Sequence, residues 1–290
     1  MMDLPLHPSV KVLATHKCGL LALEKPTGIR AHPNDSGVVD DQAILQAPYH
    51  LEEEFFANPG AGNSTAKVYL LNRIDAATSG LFLVALNLDV ALAVRALFAR
   101  QRVEKTYLAI VKGRPPGAPN IWTDWLERSK NSRGRVHTRV TDRNMGGAVK
   151  LAKTRIQWMA ADKNQLGVSL VRLIPYTGRT HQLRVQCAKR GCPIVGDAKY
   201  GDFKFNRTIA QLAENKRLYL HAQEVRVQFG LCGEVIEFKA QSPIPDAFEQ
   251  LLKPNRNIVR NARTHAMQTP LASPTVQQPA NKPRPRRRFI

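Results

Sequence analysis

Asp75 is the first residue whose type and position suggest chemistry. It lies between residues 67–71, β-branched and aromatic enough to form a strand, and residues 81–86, an apolar run typical of a buried strand. A carboxylate at such a junction can serve as a catalytic group, or it can cap the tight turn that Thr-Ser-Gly at 78–80 favours. On residue types alone the turn cap is the simpler interpretation, and the catalytic one stays open.

The second candidate is Tyr107, which follows Lys105 at the start of a predicted strand over 106–111. A tyrosine at such a position usually packs half-buried. It can also serve as a stacking surface for a base turned out of its helix, because every nucleobase has a π-face. Packing is the simpler interpretation here as well, and stacking stays open.

The third candidate is the stretch 175–184, P-Y-T-G-R-T-H-Q-L-R, where a strand ends in a glycine turn and a helix begins. Backbone N–H groups at the helix start, with Arg179 and His181, form a natural phosphate site. Arg184 lies four residues beyond Thr180 and three beyond His181, so it can share their face. Packing hardly explains ten residues with so little apolar content, and the pattern favours binding.

Together these segments supply one acid, one aromatic plane, one guanidinium and a phosphate site. The sequence holds no convincing metal cluster, Walker-type phosphate loop, dinucleotide glycine motif or Ser-His-Asp set. The four cysteines form no C-x-x-C pair and are expected to be reduced thiols. A reaction on RNA that needs no cofactor fits what remains.

The charge of the chain points to nucleic acid as its partner. Its 43 Lys and Arg against 23 Asp and Glu leave a net charge of +20, which attracts polyanions. No run approaches the roughly 20 apolar residues of a membrane span, and the first residues lack the features of a signal peptide. We therefore expect a cytoplasmic protein that binds RNA, with no membrane contact and no evident obligate protein partner.

The elements that must position the three segments are mostly strands. Helices are predicted over Asp89–Arg102, with Asp89 as a possible cap, and over Thr180–Lys189. Strands do not alternate regularly with helices, which favours a mixed, mostly antiparallel α+β fold. The predicted strands cover residues 20–24, 67–71, 81–86, 106–111, 154–159, 168–174 and 225–229.

We expect a catalytic domain over residues 1–252 and a basic tail over 253–290. The tail has nine Lys and Arg residues and no acidic one. It has too few large apolar residues to offset its ordering entropy, which predicts disorder over most of it, beyond about Arg263. The tail could be a solubilising end or an arm that binds phosphates without sequence preference.

Five stretches of the chain together match the signature of a known family. They are N-R-I-D-A-A-T-S-G (72–80), K-T-Y-L-A-I-V-K-G (105–113), T-G-R-T-H-Q-L-R (177–184), G-C-P-I-V-G-D-A-K-Y-G (191–201) and L-L-A-L-E-K-P-T-G-I-R-A-H-P (20–33). With these stretches the chain resembles the RluA-type pseudouridine synthases over about residues 10–248. Only about ten residues precede the part of the chain that resembles the family, so the S4 RNA-binding domain of many members is expected to be absent.

The resemblance implies a fold and a reaction. The fold is α+β, with a bipartite mixed, mostly antiparallel sheet, flanking helices and a central cleft. The reaction is the isomerisation of specific uridines in ribosomal or transfer RNA to pseudouridine, without a metal or other cofactor. The N-glycosidic bond breaks, the uracil turns in the pocket, and a carbon–carbon glycosidic bond forms.

The resemblance also implies roles for individual residues. Asp75 would be the catalytic carboxylate, and Arg184 would pair with it and keep it ionised. Tyr107 would stack on the target base, and Arg73 would support the nucleotide that is turned out. The other expected contacts to RNA are Lys105, Arg179, His181, Gln182 and Leu183.

Some features leave alternatives open. Four positions depart from the usual residues of the family, which bears on substrate choice more than on chemistry: Asn72, Ile74, Ala77 and Gln186. Asp197 lies in a Gly-Asp turn and is interpreted as structural, not as the second acid that a glycoside hydrolase needs. The main alternative is an RNA-binding protein on the same fold without turnover, against which the retained Asp75, Tyr107 and Arg184 argue.

Overall fold

The computed structural model describes residues 4–58, 66–117, 120–130, 136–141 and 149–261. Within these ranges it contains a sheet of thirteen strands and four named helices. The strands are β1 (Lys11–Thr15), β2 (Leu20–Lys25), β3 (Tyr49–His50), β4 (Phe55–Asn58), β5 (Ala66–Leu70), β6 (Ser79–Ala85), β7 (Glu104–Lys112), β8 (Ile121–Lys130), β9 (Val136–Thr141), β10 (Val149–Ala161), β11 (Val168–Pro175), β12 (Leu220–Leu231) and β13 (Glu234–Gln241). The helices are α1 (Leu88–Ala99), α2 (Gln182–Lys189), α3 (Phe203–Leu212) and α4 (Asp246–Leu252).

The sheet is mixed and mostly antiparallel, which confirms the fold class predicted from the sequence. Its strand order is β3-β4-β5-β6-β12-β7-β11-β10-β8-β9, with β2 also on β6, β1 on β2 and β13 on β12. Among the described strands, only β6 and β12 pair in parallel, through Ser79 with His221 and Gly80 with Ala222. This short parallel seam joins the half formed by β1–β6 to the half formed by β7–β13.

Gly80 allows the two halves to meet at the seam. Its φ of +105° is a conformation that residues with a side chain rarely adopt. A Cβ atom there would lie 2.2 Å from the carbonyl oxygen of Ala222 and 2.7 Å from its nitrogen. Glycine at this position is therefore required both by the backbone conformation and by the close approach of β12.

We expect Gly80→Ala to destabilise the protein by about 3 kcal/mol or more, because a left-handed backbone and a clash with backbone atoms add together. Gly113 also has a positive φ, +68°, but a Cβ there would meet nothing within 4 Å. The control Gly113→Ala isolates the backbone strain and should cost only about 1 kcal/mol. Urea unfolding of both variants measures the two losses in the free energy of unfolding. Equal losses would show that β12 moves away from the new Cβ atom at no further cost.

The helices of the second half cover opposite faces of the sheet. In β7, Ala109 and Val111 face a cluster that contains Leu183 and Cys187 of α2. Their neighbours Leu108 and Ile110 face a cluster formed with α3 and α4. This alternation along one strand places α2 on one face and α3 and α4 on the other.

The predicted elements are present, with differences at the helix starts and at the end of the first helix, which stops at Ala99 instead of Arg102. The first helix begins at Leu88 instead of Asp89, because the Asn87 side chain accepts a hydrogen bond from the backbone N–H of Val90 at 2.9 Å and caps it. The second begins at Gln182 instead of Thr180, after His181 in a left-handed conformation with a φ of 55°. The seven predicted strands correspond to β2, β5, β6, β7, β10, β11 and β12, whereas β1, β3, β4, β8, β9, β13, α3 and α4 were not predicted.

The packed chain continues beyond the predicted domain boundary at residue 252. Ile258 is buried in the cluster formed with α3 and α4. Asn255 donates its backbone N–H to Asn164 Oδ1 at 2.9 Å, and Asn261 donates to the carbonyl of Leu212 at 3.1 Å. The remaining tail, 262–290, lies outside the described residues, so its disorder stays a prediction. No helix within the described ranges is long and apolar enough to cross a membrane.

Candidate active site

Asp75 lies in the turn between β5 and β6, directly before the seam of the sheet. Its backbone carbonyl accepts a hydrogen bond from the N–H of Thr78 at 2.9 Å, which closes the turn without using the carboxylate. The side chain remains 28% exposed. The turn-cap interpretation therefore applies to the main chain of Asp75, whereas its carboxylate reaches Arg184 in the second half of the sheet.

Arg184 of α2 joins two carboxylates. Its Nη1 lies 2.8 Å from Asp75 Oδ2, while Nε and Nη2 donate to the two oxygens of Asp197 at 2.7 and 2.8 Å. Although burial alone would raise the pKa of Asp197, the Arg184 guanidinium holds it below its ordinary value. The paired fork with Asp197 orients the guanidinium, and the third contact presents one positive N–H to Asp75.

Lys25 ties the Lys-Pro-Thr-Gly turn to the residue after Asp75. Its Nζ is buried and donates to the carbonyls of Pro26, Ile29 and Ala76 at 2.8–2.9 Å. Burial lowers the pKa of Lys25 to about 7, while Asp75 opposes that change. Three carbonyl acceptors match the three N–H groups of an ammonium, so the geometry favours the charged form. Lys25 thus holds the backbone next to Asp75 in place.

Tyr107 stands on β7 between Leu173 of β11 and Ala222 of β12. The residue is half-buried. Burial, with the nearby charge of Asp75, raises the pKa of Tyr107 to about 12. The ring therefore remains a neutral phenol at ordinary pH, beside the carboxylate.

His181 approaches Asp75 from the start of α2. Its Nε2 lies 3.9 Å from Asp75 Oδ1, and its Nδ1 lies 2.8 Å from the hydroxyl of Tyr200. Burial, together with the positive charges of Arg184 and Lys199, lowers the pKa of His181. His181 is therefore a neutral imidazole at neutral pH.

The stretch 179–183 contains residues that the structure places in different environments. Gln182 and Leu183 are buried, so they do not offer side chains to RNA in this conformation. Gln182 instead binds Thr177, Thr154 and the backbone N–H of Arg179. The backbone N–H of Arg179 is therefore not available to a phosphate at the helix start. Arg179 is half-exposed, with Nε 3.1 Å from the carbonyl of Leu151.

Arg73 and Lys105, two further expected contacts to RNA, differ in exposure. Arg73 is exposed, with Nη1 4.0 Å from Glu54 Oε1. Lys105 is half-buried with its Nζ 5.8 Å from the ring centre of Phe98, and burial lowers its pKa. Lys105 and Tyr107 line the same small pocket under α1. Arg73 is therefore open to solvent, whereas Lys105 is only partly so.

The positions that depart from the family pattern have structural partners here. Asn72 Oδ1 accepts the backbone N–H of Leu83 at 2.8 Å. Gln186 is fully buried and donates to Asp124 Oδ2 at 2.8 Å. Ile74 and Ala77 pack against hydrophobic clusters. These partners give each of the four positions a role in holding the fold around Asp75.

Three residues around Asp75 were not singled out by the sequence analysis as part of the site. These residues are Lys25, Tyr200 and Arg217. The Lys-Pro-Thr-Gly and Lys-Tyr-Gly stretches belong to the family motifs, and this is the only feature of the sequence that points to Lys25 and Tyr200. Arg217 donates to Ser79 at the seam, 2.5 Å away, and has no motif around it. Across the described ranges, no group of three or more His, Cys, Asp or Glu residues could hold a metal ion.

Comparison with known proteins gives consistent matches in sequence. A family model described as RNA pseudouridylate synthase matches residues 19–189. The ribosomal large subunit pseudouridine synthase C of Rickettsia bellii is 35% identical over 174 residues, which cover 60% of this chain and 54% of the relative. The tRNA pseudouridine synthase C of Pasteurella multocida is 32% identical over 210 residues, or 71% of this chain and 81% of the relative. The chain thus matches only about half the length of the first of these relatives.

Two solved human structures share the fold. Human RNA Pseudouridylate Synthase Domain Containing 1 aligns with a TM-score of 0.60 at 23% identity, over 93% of this chain and 99% of that one. Human RNA Pseudouridylate Synthase Domain Containing 4 aligns with a TM-score of 0.59 at 22% identity, over 87% and 92%. At such low identities the likeness establishes the fold alone.

Proposed function

The chain belongs to the RNA pseudouridylate synthase family, and from this premise we propose that it isomerises specific uridines in RNA to pseudouridine. The observation that carries the proposal is the Asp75 carboxylate, held at 2.8 Å by Arg184 and close enough to Tyr107 to act on its pKa. The net charge of the chain, +20, attracts RNA. The reaction needs one carboxylate and one aromatic surface at the reacting nucleotide, and both are close together here.

The proposed reaction exchanges one bond at C1′ of the ribose for another. Asp75 attacks C1′ or removes a proton from the sugar, and the N1–C1′ bond breaks with its electron pair leaving on the uracil. The uracil turns, and its C5 forms the new bond to C1′ while the Asp75 carboxylate either leaves C1′ or returns the proton to the sugar. The proton on C5 is then lost, and N1 gains one. Tyr107 would stack on the uracil during this rotation, since its neutral ring lies beside Asp75.

Arg184 has two effects in this mechanism. Its positive charge lies 2.8 Å from the Asp75 carboxylate, the group that both possible first steps use. Its anchoring by Asp197 leaves one N–H to fix the direction of the carboxylate. Arg73, Lys105 and Arg179 would hold the phosphates around the reacting nucleotide, because all three are cations that are at least partly accessible.

The substrate is proposed to be ribosomal or transfer RNA. The two relatives compared above are named for a ribosomal and a transfer RNA reaction, respectively. A cytoplasmic location, as expected from the sequence, fits either RNA. The alternative is an inactive RNA-binding protein on the same fold. The intact set of Asp75, Arg184 and Tyr107 favours the enzyme.

Tritium release from RNA labelled at C5 of uracil tests the proposal, because formation of the new bond expels that hydrogen. The full chain would be incubated separately with ribosomal RNA and transfer RNA that lack the modification. Release from one pool establishes the activity and identifies the substrate class. Tight binding without release from either pool would support the inactive alternative.

The basic tail should contribute to RNA affinity and not to the chemical step. Deletion of residues 264–290 removes five Lys and Arg residues. Each phosphate contact adds about 0.7 to the slope of log affinity against log salt for a single strand, so the slope should flatten by up to about 3.5. A full-length chain with those five residues changed to Gln is the matched control and should behave like the deletion. A slope that stays unchanged in filter binding would show that the tail does not touch RNA.

A further inference from the structure

We propose that Tyr200 and His181 are positioning residues for Asp75, and that strand β9 holds them in their working arrangement. This inference rests on the proposed function, since Asp75 is the group that they position. It adds a second set of contacts to the one formed by Arg184. The two sets approach the two oxygens of the same carboxylate.

The contacts form a continuous path from β9 to Asp75. The backbone N–H of Thr138 donates to the Tyr200 hydroxyl at 3.1 Å. That hydroxyl lies 2.8 Å from His181 Nδ1. On the other side of the imidazole, Nε2 lies 3.9 Å from Asp75 Oδ1. Arg184 contacts the other oxygen, Oδ2.

The chemistry of the groups sets the direction of the protons along this path. A backbone N–H can only donate, so the Tyr200 oxygen accepts from Thr138 and has its own proton to give. His181 Nδ1 lies within hydrogen-bond distance of that oxygen and accepts a hydrogen bond from the Tyr200 hydroxyl. A neutral imidazole that accepts at Nδ1 carries its hydrogen on Nε2, which faces the carboxylate. The opposite tautomer would turn a lone pair toward the negative charge of Asp75.

The separation of 3.9 Å between His181 and Asp75 is too long for a hydrogen bond. The Nε2–H dipole of His181 nevertheless stabilises the Asp75 carboxylate, because its positive end points to a negative charge in a partly buried site. It limits rotation of the carboxylate without occupying an oxygen that must reach the ribose. Arg184 bonds one oxygen, whereas His181 leaves the other available.

Tyr200 is anchored by the same residue that anchors Arg184. Its backbone N–H donates to Asp197 Oδ1 at 2.9 Å, and the guanidinium of Arg184 lies 5.3 Å from the centre of its ring. Asp197 therefore organises both approaches to Asp75. The backbone of His181, with a φ of 55°, turns the imidazole toward Tyr200 immediately before α2 begins.

Strand β9 is placed to control Tyr200. It pairs only with β8 among the described strands, so the Thr138 N–H that points away from β8 is available to Tyr200. The ring of His137 stacks on Tyr200 with centroids 5.7 Å apart, and Lys199 donates to the carbonyl of Val136. Displacement of β9 would remove the donor that directs the Tyr200 proton to His181.

The charged and titratable groups around His181 determine how a change at Tyr200 acts. Asp75 and Asp197 favour its protonated form, whereas Arg184 and Lys199 disfavour it. His137, on β9, lies on the far side of the Tyr200 ring. Donation from the Tyr200 hydroxyl stabilises the neutral imidazole. Loss of that hydroxyl raises the pKa of His181, and the imidazolium then pairs with Asp75 and restrains it.

The variant Tyr200→Phe tests the proposal. We expect kcat for tritium release to fall about tenfold, the effect of one lost hydrogen bond, with little change in KM. The acid limb of the kcat profile should move to higher pH, because His181 now protonates at a higher pH. Tyr69→Phe, which removes a hydroxyl from β5 in the first half of the sheet, is the matched control and should leave both unchanged. A Tyr200→Phe enzyme with the wild-type kcat and pH profile would overturn the proposal.

A second variant assigns the shift to His181. Asn tolerates the left-handed backbone and cannot reach Asp75, so His181→Asn should lower kcat as well. Adding Tyr200→Phe to His181→Asn should cause no further movement of the acid limb. A shift that persists in the double variant would contradict the role of His181. Thermal melting of each variant separates these effects from unfolding.

A readout without turnover separates this inference from the proposed function. Nitrogen-15 NMR of the imidazoles, with His181 assigned by its loss in His181→Asn, reports which nitrogen carries the proton. We expect hydrogen on Nε2 in the wild type and a higher pKa in Tyr200→Phe. Hydrogen on Nδ1 would overturn the inference even in an active enzyme. Absence of tritium release by the wild type, with Nε2 protonated, would instead contradict the proposed function.

Discussion

Replacement of Asp75 by Asn should lower turnover by about 10⁴-fold or more while leaving RNA affinity within about twofold. Asn has nearly the same size and keeps one oxygen for Arg184, whose Nη1 lies 2.8 Å from the wild-type carboxylate. It lacks the negative charge that either possible first step requires. RNA affinity depends mainly on contacts to phosphates, which Asp75 does not make. Tritium release and filter binding on the same RNA measure the two effects.

A matched control distinguishes loss of the catalytic group from loss of a negative charge. Asp246 is exposed at the start of α4, on the face of the sheet opposite to α2. Asp246→Asn makes the same change in net charge and should retain wild-type turnover. If Asp75→Asn kept turnover within about tenfold of the wild type, the assignment of Asp75 as the catalytic group would be wrong.

Replacement of Arg184 by Met should cost about 3–5 kcal/mol of stability and abolish measurable turnover. Met fills much of the same space. It leaves Asp197, which is only 1% exposed, without the two hydrogen bonds from the guanidinium. An uncompensated buried carboxylate is among the most destabilising changes that a single substitution can make. Turnover is lost because Asp75 loses the guanidinium that orients its carboxylate. Urea unfolding and tritium release measure these losses separately.

A second substitution separates the two roles of Arg184. When Asp197→Asn is added to Arg184→Met, the buried charge is absent, so most of the lost stability should return. The amide oxygen of the new side chain can still accept from the N–H groups of Lys199 and Tyr200, which lie 2.8 and 2.9 Å from Oδ1 of Asp197. Turnover should not return, because nothing replaces the contact to Asp75. Recovery of turnover with stability would show that Arg184 acts only through folding.

Local patterns in the sequence predicted the elements that carry the site. The apolar run of β6 and the turn residues before it placed Asp75 correctly at the end of a strand connection. The strand β7 and the helix α2 were also predicted near their observed bounds. Their side-chain periodicity reflects local burial, which is readable without knowing the partners. The exact residues at which the two helices start were not predicted, because Asn87 and Gln182 fix those starts through hydrogen bonds to particular neighbours.

The short edge strands and the later helices escaped prediction for a physical reason. β3 has two residues, and β9 pairs on one side only among the described strands, so neither has a strong alternation of its own. Helix α4 has seven residues, too few for a periodic signal to be distinct. Their stability comes from tertiary packing, such as the burial of Phe248 under the sheet. Such packing leaves only a weak trace in the local sequence.

By itself the sequence determined the α+β class, the family, and the residue types that the chemistry needs, because these depend on local periodicity and on contiguous motifs. Only the tertiary structure decided which of those residues meet. It brings Arg184 to Asp75 across 109 positions of chain, buries Gln182 and Leu183, and adds Lys25 and Tyr200 to the site. Contacts of this kind arise when strands distant in sequence become neighbours in the sheet. The spacing of residues along the chain does not encode those distances.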